Sequence, residues 1–422
     1  MKIRNLETTL AAGRRVLSAS IVWEDSDRPA FEMRFASDAG SLDSAPPDPH
    51  PFLLASVVPA WRRGERRILL EGPLCPRLRD GLRAAQRILE RWFSPGRQPA
   101  AVEAARGFRP YGERQPRAAV FLTGGIDSLH VLARNRRFYG GAHPAFFRDA
   151  IYAERLSYVE DVPSARALDL SRRQSRAVGE IARLSGLEAR RVDSNFRLLD
   201  PDQWWVASED QGALLAAIGH TLTNRLGSVS LAATHDPDFL PAWGTHPLLD
   251  PCFSSSGLEL RHEGFGRTRF EKTAEIADWE VARRYLLVCF EGPLPEGQLN
   301  CGKCEKCLRT MTALLALGVL GSFSVFGGEV VTPEKIDAMP FGNHMEFFGG
   351  FWAPLVDPLG ARGERRIARA LARKLDAWRR VISWHADEGW RGRLRRADRR
   401  YFGGALLGLS RGLRRRARGS KT

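Results

Sequence analysis

The most constraining stretch of the chain is AAVFLTGGIDSLHVLA, residues 118–133. Its first part, residues 118–122, is a short continuous apolar run of the kind that forms a strand buried on both faces of a parallel sheet. Two glycines follow directly, and helix-forming residues follow the glycines. Gly124 and Gly125 can take backbone conformations closed to other residues and let N–H groups approach an anion, while the next helix contributes its positive end. Thr123 and Ser128 add hydroxyl donors. Asp127, in the first turn, suits a magnesium ion bridging phosphate oxygens, because hard cations take oxygen ligands. The bland alternative is a glycine turn with a helix cap at Asp127 or Ser128. The stretch is neither a Walker A loop, since the Gly-Lys-Ser/Thr ending is missing, nor a dinucleotide fingerprint, since GxGxxG is absent.

Strand and helix alternate on either side of this segment. Strands are predicted at 150–152, 188–192, 228–233 and 258–261, with helices at about 170–186 and 209–226, then 272–285 and 304–317. That alternation predicts an α/β fold with a doubly wound, mainly parallel sheet. Residues 1–115 read as a separate small α+β domain. Leu17, Ala19, Ile21 and Trp23 alternate, and Phe31, Met33 and Phe35 alternate after a turn-rich stretch, so a half-buried hairpin is predicted. An apolar run follows at 52–61, then a strand-like 67–70. Leu78, Leu82, Ala85, Leu89 and Trp92 recur at helical spacing and predict an amphipathic helix that ends near SPGRQP at 94–99. The catalytic domain is expected at 116–330 and a helical C-terminal extension at 331–422.

Cys301, Cys304 and Cys307 form a CxxCxxC run, and Cys289 lies 12 residues upstream of it. Four thiolates satisfy a tetrahedral zinc outright and leave no open position, so such a site is structural. An iron–sulfur cluster is the competing use of four cysteines, less suited to the charged NCGKCEKC segment. Cys75 and Cys252 stand alone and read as small buried hydrophobes.

The TGGIDS motif resembles the SGGxDS signature of the PP-loop ATP pyrophosphatase superfamily, with Thr123 in place of the first serine. The resemblance implies a HUP-like sheet in which Thr123, Gly124, Gly125, Asp127 and Ser128 hold the pyrophosphate of ATP with magnesium, and Asp127 and Ser128 serve catalysis. Together with a cysteine followed by CGKCxxC, the chain is similar to the 7-cyano-7-deazaguanine synthase branch, whose four cysteines bind zinc. That branch activates a carboxylate with ATP and uses ammonia to form an amide and then a nitrile. The resemblance covers residues 116–318. The first 115 residues and the long basic C-terminal region are additions, and the substrate-facing loops depart from that branch, so the substrate is a carboxylate of unspecified identity.

Other polar residues fall where such a sheet binds ligands, beyond the carboxyl ends of its strands. Thr234, His235 and Asp236 follow the strand predicted at 228–233. Ser208 and Gln211 begin a helix, and capping alone would account for them. These five are substrate-pocket candidates, and His246 begins a loop placed to close over the site. Lys272 matches a Lys-x-x-Glu-Ile pattern of the relatives and is placed to reach a phosphate; an ordinary exposed helix lysine is the alternative.

The chain of 422 residues carries a net charge of +15. Residues 361–422 hold 18 Arg and 2 Lys against 5 acids, which accounts for all of it; residues 1–360 balance. The whole-chain pI of about 10.1 is therefore no sign of a nucleic-acid-binding body. The basic region predicts an anionic partner, RNA or a membrane surface, with 361–384 packing as an amphipathic helix and the last residues disordered. Residues 1–20 contain Lys2, Arg4, Glu7, Arg14 and Arg15 before any signal-like apolar stretch, and no apolar run approaches the roughly 18 residues of a membrane span, so a cytoplasmic protein is expected. The functional expectation is an ATP-dependent, C–N bond-forming ligase, which could act as a homodimer, using ATP, magnesium and zinc with ammonia or an amine as donor. Sulfur transfer to a nucleobase or tRNA, or a catalytically inactive zinc-stabilised RNA- or membrane-binding module, are the alternatives.

Overall fold

A computed structural model describes residues 1–38, 48–111, 114–154, 164–200, 206–341, 347–386 and 389, with the side chains of 206, 207 and 384–386 left aside. The strands are β1 (Lys2–Ala11), β2 (Arg14–Val22), β3 (Phe31–Asp38), β4 (Arg67–Leu70), β5 (Ala101–Ala104), β6 (Ala118–Phe121), β7 (Phe147–Ala153), β8 (Glu188–Ser194), β9 (Ser228–Ala232) and β10 (Glu259–Glu263). The helices are α1 (His50–Arg63), α2 (Pro76–Phe93), α3 (Ile126–Phe138), α4 (Ala165–Leu184), α5 (Gln211–His220), α6 (Arg269–Ile276), α7 (Glu280–Tyr285), α8 (Glu305–Ala316), α9 (Pro333–Ala338), α10 (Phe348–Trp352), α11 (Val356–Ala361) and α12 (Arg365–Ala386).

The chain divides into two compact units. The larger comprises Met1–Gly302 with Gly321–Gly328; the smaller comprises Lys303–Leu320 with the described residues from Glu329 onward. All ten strands form one sheet in the larger unit, in the order β10-β9-β6-β7-β8-β3-β2-β1-β4-β5. Pairing is parallel except for β1–β2, β2–β3 and β3–β8. The fold is thus α/β with a mostly parallel sheet, as the alternation of elements predicted.

Within the sheet, β8-β7-β6-β9-β10 follow the 3-2-1-4-5 strand order of a doubly wound fold, with the switch point between β6 and β9. The expected hairpin forms with Leu17 opposite Phe35 and Ala19 opposite Met33. It does not stand apart: β3 pairs antiparallel with β8, Phe35 facing Ser194. One buried cluster accordingly runs from Ile21, Phe35, Phe52 and Trp61 through Ala119, Phe121 and Ile151 to Leu231. The stretch 1–115, expected as a separate unit, shares both sheet and core with the strands around the glycine turn.

β1 and β5 lacked a sequence signal because β1 exposes most of its side chains and none in β5 is fully buried, and β1 breaks register between Arg4 and Glu7, with Asn5 at φ 56°. α1 is buried on nearly every side, so its residues show an apolar run without helical period. The helix expected over 272–285 is two helices, α6 and α7, separated at 277–279. In the smaller unit, α12 buries Ile367, Leu371 and Leu375. The helical pattern that Trp390 and Leu394 continue, and the disorder expected of Arg411–Thr422, fall outside the described residues.

Two helical glycines make opposite predictions. A Cβ on Gly81 of α2 would sit 1.9 Å from the carbonyl oxygen of Cys252, whereas one on Gly179 of α4 meets nothing within 4 Å. Gly179→Ala should stabilise the protein by about 1 kcal/mol through helix propensity, and Gly81→Ala should destabilise it by about 1–3 kcal/mol through overpacking against backbone. Denaturant unfolding of the two variants checks the opposed signs.

Candidate functional site

The chain leaves β6 with all four strand residues buried and Leu122 still bonded to Ile151 of the neighbouring strand, N to O 2.9 Å. Gly124 then takes φ +78°, a conformation that disfavours any side chain. Its carbonyl accepts from Leu287 N–H at 2.9 Å, which anchors the turn to the segment after α7. α3 begins directly after Gly125. The Ser128 hydroxyl donates to the Gly125 carbonyl at 3.0 Å and lies 3.3 Å from the Thr123 hydroxyl, which accepts from Gly125 N–H at 3.3 Å. Both hydroxyls are thereby held at the turn, beside the N-terminus of a 13-residue helix whose dipole favours an anion.

Asp127 meets cations from α6. Arg269 donates to its Oδ2, and the Lys272 ammonium stands 3.7 Å from Oδ1, an atom with no hydrogen-bond partner. Lys272 is fully buried and donates to the Ala233 carbonyl at 2.6 Å. Burial pushes its pKa below the ordinary lysine value, against the opposing pull of Asp127. The alternative of an exposed helix lysine is therefore excluded. A capping box of Thr268 and Glu271 starts α6, so Arg269 and Lys272, three residues apart, share one face toward Asp127. Sequence reading missed Arg269; its i, i+3 spacing from Lys272 just inside the cap was the available signal.

β9 runs parallel to β6 with Val120 opposite Ser230, so the residues after each strand emerge side by side. His235 is buried there against Phe239 and Trp243, ring centroids 5.7 and 6.3 Å apart. Burial, and then the positive charge of Arg269, lowers its pKa to about 4, so it is neutral at pH 7. The Asp236 carboxylate accepts from Asp238 N–H at 3.1 Å and its charge favours protonated Lys272. Thr234 is partly exposed on the same turn. Thr123, Gly124, Gly125, Asp127, Ser128, Lys272, His235 and Asp236 thus converge on the switch point.

Ser208 and Gln211 lie on the segment that leads into α5. Ser208 lies in a π-helical turn, Val206–Asp210, and Gln211 starts α5, which packs on α1. Beside them Glu209 accepts from Arg62 at 2.6 Å, and Gly212 N–H donates to the Gly244 carbonyl at 2.8 Å. His246, at the end of that 243–246 loop, is buried against Trp92 with its ring 4.7 Å away.

The sulfur atoms of Cys289, Cys301, Cys304 and Cys307 all lie within 4.8 Å of one another. A tetrahedral zinc with bonds of about 2.3 Å brings sulfurs to about 3.8 Å, so the donor set fits such an ion after a small closure. Cys304 caps α8 and Cys307 lies in its first turn. Asn300, fully buried, accepts from the N–H groups of Val288 and Cys289 at 2.8 and 3.1 Å and donates to the carbonyls of Leu286 and Val325. Arg173 donates to the carbonyls of Leu299 and Glu291. These two side chains, unmarked in the sequence, hold the backbone that presents Cys289. Cys75 is buried as expected, and Cys252 is partly exposed.

Comparison with protein-family models, curated proteins and solved structures found no match. Among the described residues no helix is long and apolar enough to cross a membrane.

The purified chain should carry about one four-coordinate metal ion, and Cys307→Ser should lose it and lower the melting temperature, as read by elemental analysis and thermal denaturation. A pH dependence follows from His220, His235 and His246, each lowered to about 4 chiefly by burial. Their folded forms stay neutral while the unfolded chain takes up protons below about pH 6.5, so the stability they confer is complete above pH 6.5 and is lost as pH falls toward 4. For the wholly buried His220 the loss is on the order of 3 kcal/mol. His220→Asn should flatten the fall in melting temperature between pH 6.5 and 4.5.

Proposed function

We propose that the chain is an ATP-dependent enzyme of the PP-loop type. It transfers the AMP moiety to a carboxylate or carbonyl oxygen, releases pyrophosphate, and lets a nitrogen nucleophile displace AMP, in the manner of the 7-cyano-7-deazaguanine synthase branch. The observation that carries this reading is the convergence, beyond β6 and β9, of a glycine turn, a helix N-terminus, the cations Arg269 and Lys272 and the carboxylates Asp127 and Asp236. That combination suits a polyphosphate with its metal.

The roles follow from chemistry. Backbone N–H groups around Gly124 and Gly125 and the hydroxyls of Thr123 and Ser128 bind phosphate oxygens. Lys272 and Arg269 offset the charge that grows on the pyrophosphate as the bond between the α-phosphorus and the oxygen bridging it to the β-phosphate breaks and that oxygen leaves with pyrophosphate. Asp127 would hold magnesium, which would supply charge neutralisation on the phosphates. His235, neutral and next to Asp236 in the chain, borders the acceptor side with Phe239 and Trp243. Adenylation makes nitrogen attack feasible because AMP leaves far more readily than hydroxide. The four cysteines would hold zinc as a structural ion that takes part in no step, since a site of four thiolates has no open position.

The test is pyrophosphate release from ATP and magnesium in the presence of ammonia and a metabolite extract, with mass spectrometry to find the compound that gains or loses mass. Asp127→Asn and Lys272→Met should each lower release by at least about 100-fold, the scale of removing one charge-stabilising group from a site. Undiminished release in Asp127→Asn would falsify the assignment.

A further inference from the structure

The outer face of α12 is lined almost throughout by one sign of charge. Arg365, Arg366, Arg369, Arg373, Arg379 and Arg380 are exposed along this helix, while Ile367, Ala368, Ala370, Leu371 and Leu375 on the opposite side are buried. Arg366, Arg369, Arg373 and Arg380 follow one another at i, i+3, i+7 and i+14, a row about 21 Å long on one helix face. Arg373 pairs with Asp337 and Arg379 with Asp376, at 2.8 and 2.9 Å. Arg365, Arg366, Arg369 and Arg380 form no salt bridge among the described residues.

A face that serves only solubility interleaves acids with bases, because like charges three or four residues apart each weaken the helix by a few tenths of a kcal/mol. From 365 to 383 the helix has Asp376 as its single acid against six Arg and Lys374. Lys374 itself is engaged, donating to the Asp337 carbonyl at 2.9 Å. The remaining row is purely guanidinium, whose planar fork matches two phosphate oxygens where an ammonium offers a point charge. The apolar side of α12 is consumed inside its own unit, so the helix has nothing to insert among acyl chains as a membrane-surface helix does. A polyanion with closely spaced phosphates fits better: duplex nucleic acid carries one charge per about 1.7 Å of its axis.

We propose that the exposed arginine row of α12 binds the phosphate backbone of a nucleic acid, without base recognition. The proposal is independent of the phosphate-loop assignment. It is tested on the full chain by fluorescence anisotropy with labelled RNA and DNA duplexes across a salt series, alongside co-sedimentation with phosphatidylserine vesicles. Changing Arg365, Arg366, Arg369 and Arg380 together to Gln should weaken duplex binding by about 100-fold near physiological salt and lower the slope of log affinity against log salt by about 3 to 4. The fourfold Lys variant, which keeps the charge, should retain most of the binding. Arg366→Gln with Arg369→Gln, a milder change should the fourfold variant misfold, should remove about half of the slope change. A chain ending at Gly389 should still bind duplexes with salt sensitivity. Unchanged affinity in the Gln variants, binding confined to vesicles, or complete loss on truncation at Gly389 would each overturn the proposal.

Discussion

A fully buried lysine is tolerated only where the surrounding groups answer its charge, and Lys272 organises this fold around that requirement. Its ammonium is met by the carbonyl at the end of β9 and by the carboxylate in the first turn of α3. Three elements distant in sequence, at 127, 233 and 272, are thereby tied at one point. Remove the lysine and Asp127 keeps Arg269, but the link from α6 to the strand end disappears. The cation that a phosphate would need is thus already held by the contacts that join the elements.

The sheet carries this arrangement beyond the switch point. β6 lies between β7 and β9, buried on both faces, so it has little freedom to slip and its carboxyl end is firmly positioned. On the far side, β3 closes onto β8 and extends the sheet through β2, β1, β4 and β5. That extension covers what would be an open edge at β8, a hazard for any sheet. The residues at the start of the chain therefore give β8 a hydrogen-bonding partner and share their core with the strands beside the site.

Legibility in the sequence varied for physical reasons. The turn at 123–128 was readable because its chemistry is local: a strand, two glycines and a helix start are contiguous. The cysteines were readable because ligand spacing is itself a sequence property. Lys272 stood out only through its Lys-x-x-Glu-Ile pattern, since burial is invisible in one dimension, and Arg269 carried no motif. Ser208 and Gln211 sit at a helix start as expected, yet α1 and the 243–246 loop set their surroundings. Asn300 and Arg173 escaped notice because bracing of a backbone by side chains far apart in sequence leaves no periodic trace.

The sequence by itself determined the α/β alternation, the phosphate-suited turn, the cysteine quartet and the confinement of net charge to residues 361–422. Each of these depends on neighbours within a few turns of chain. Only the tertiary structure decided that the first 104 residues join the same ten-stranded sheet, that Arg269 and Lys272 face Asp127, and that the arginines of α12 point outward while its apolar side is spent inside. Those outcomes rest on strand order, register and burial, which are properties of contacts between residues that the linear order keeps apart.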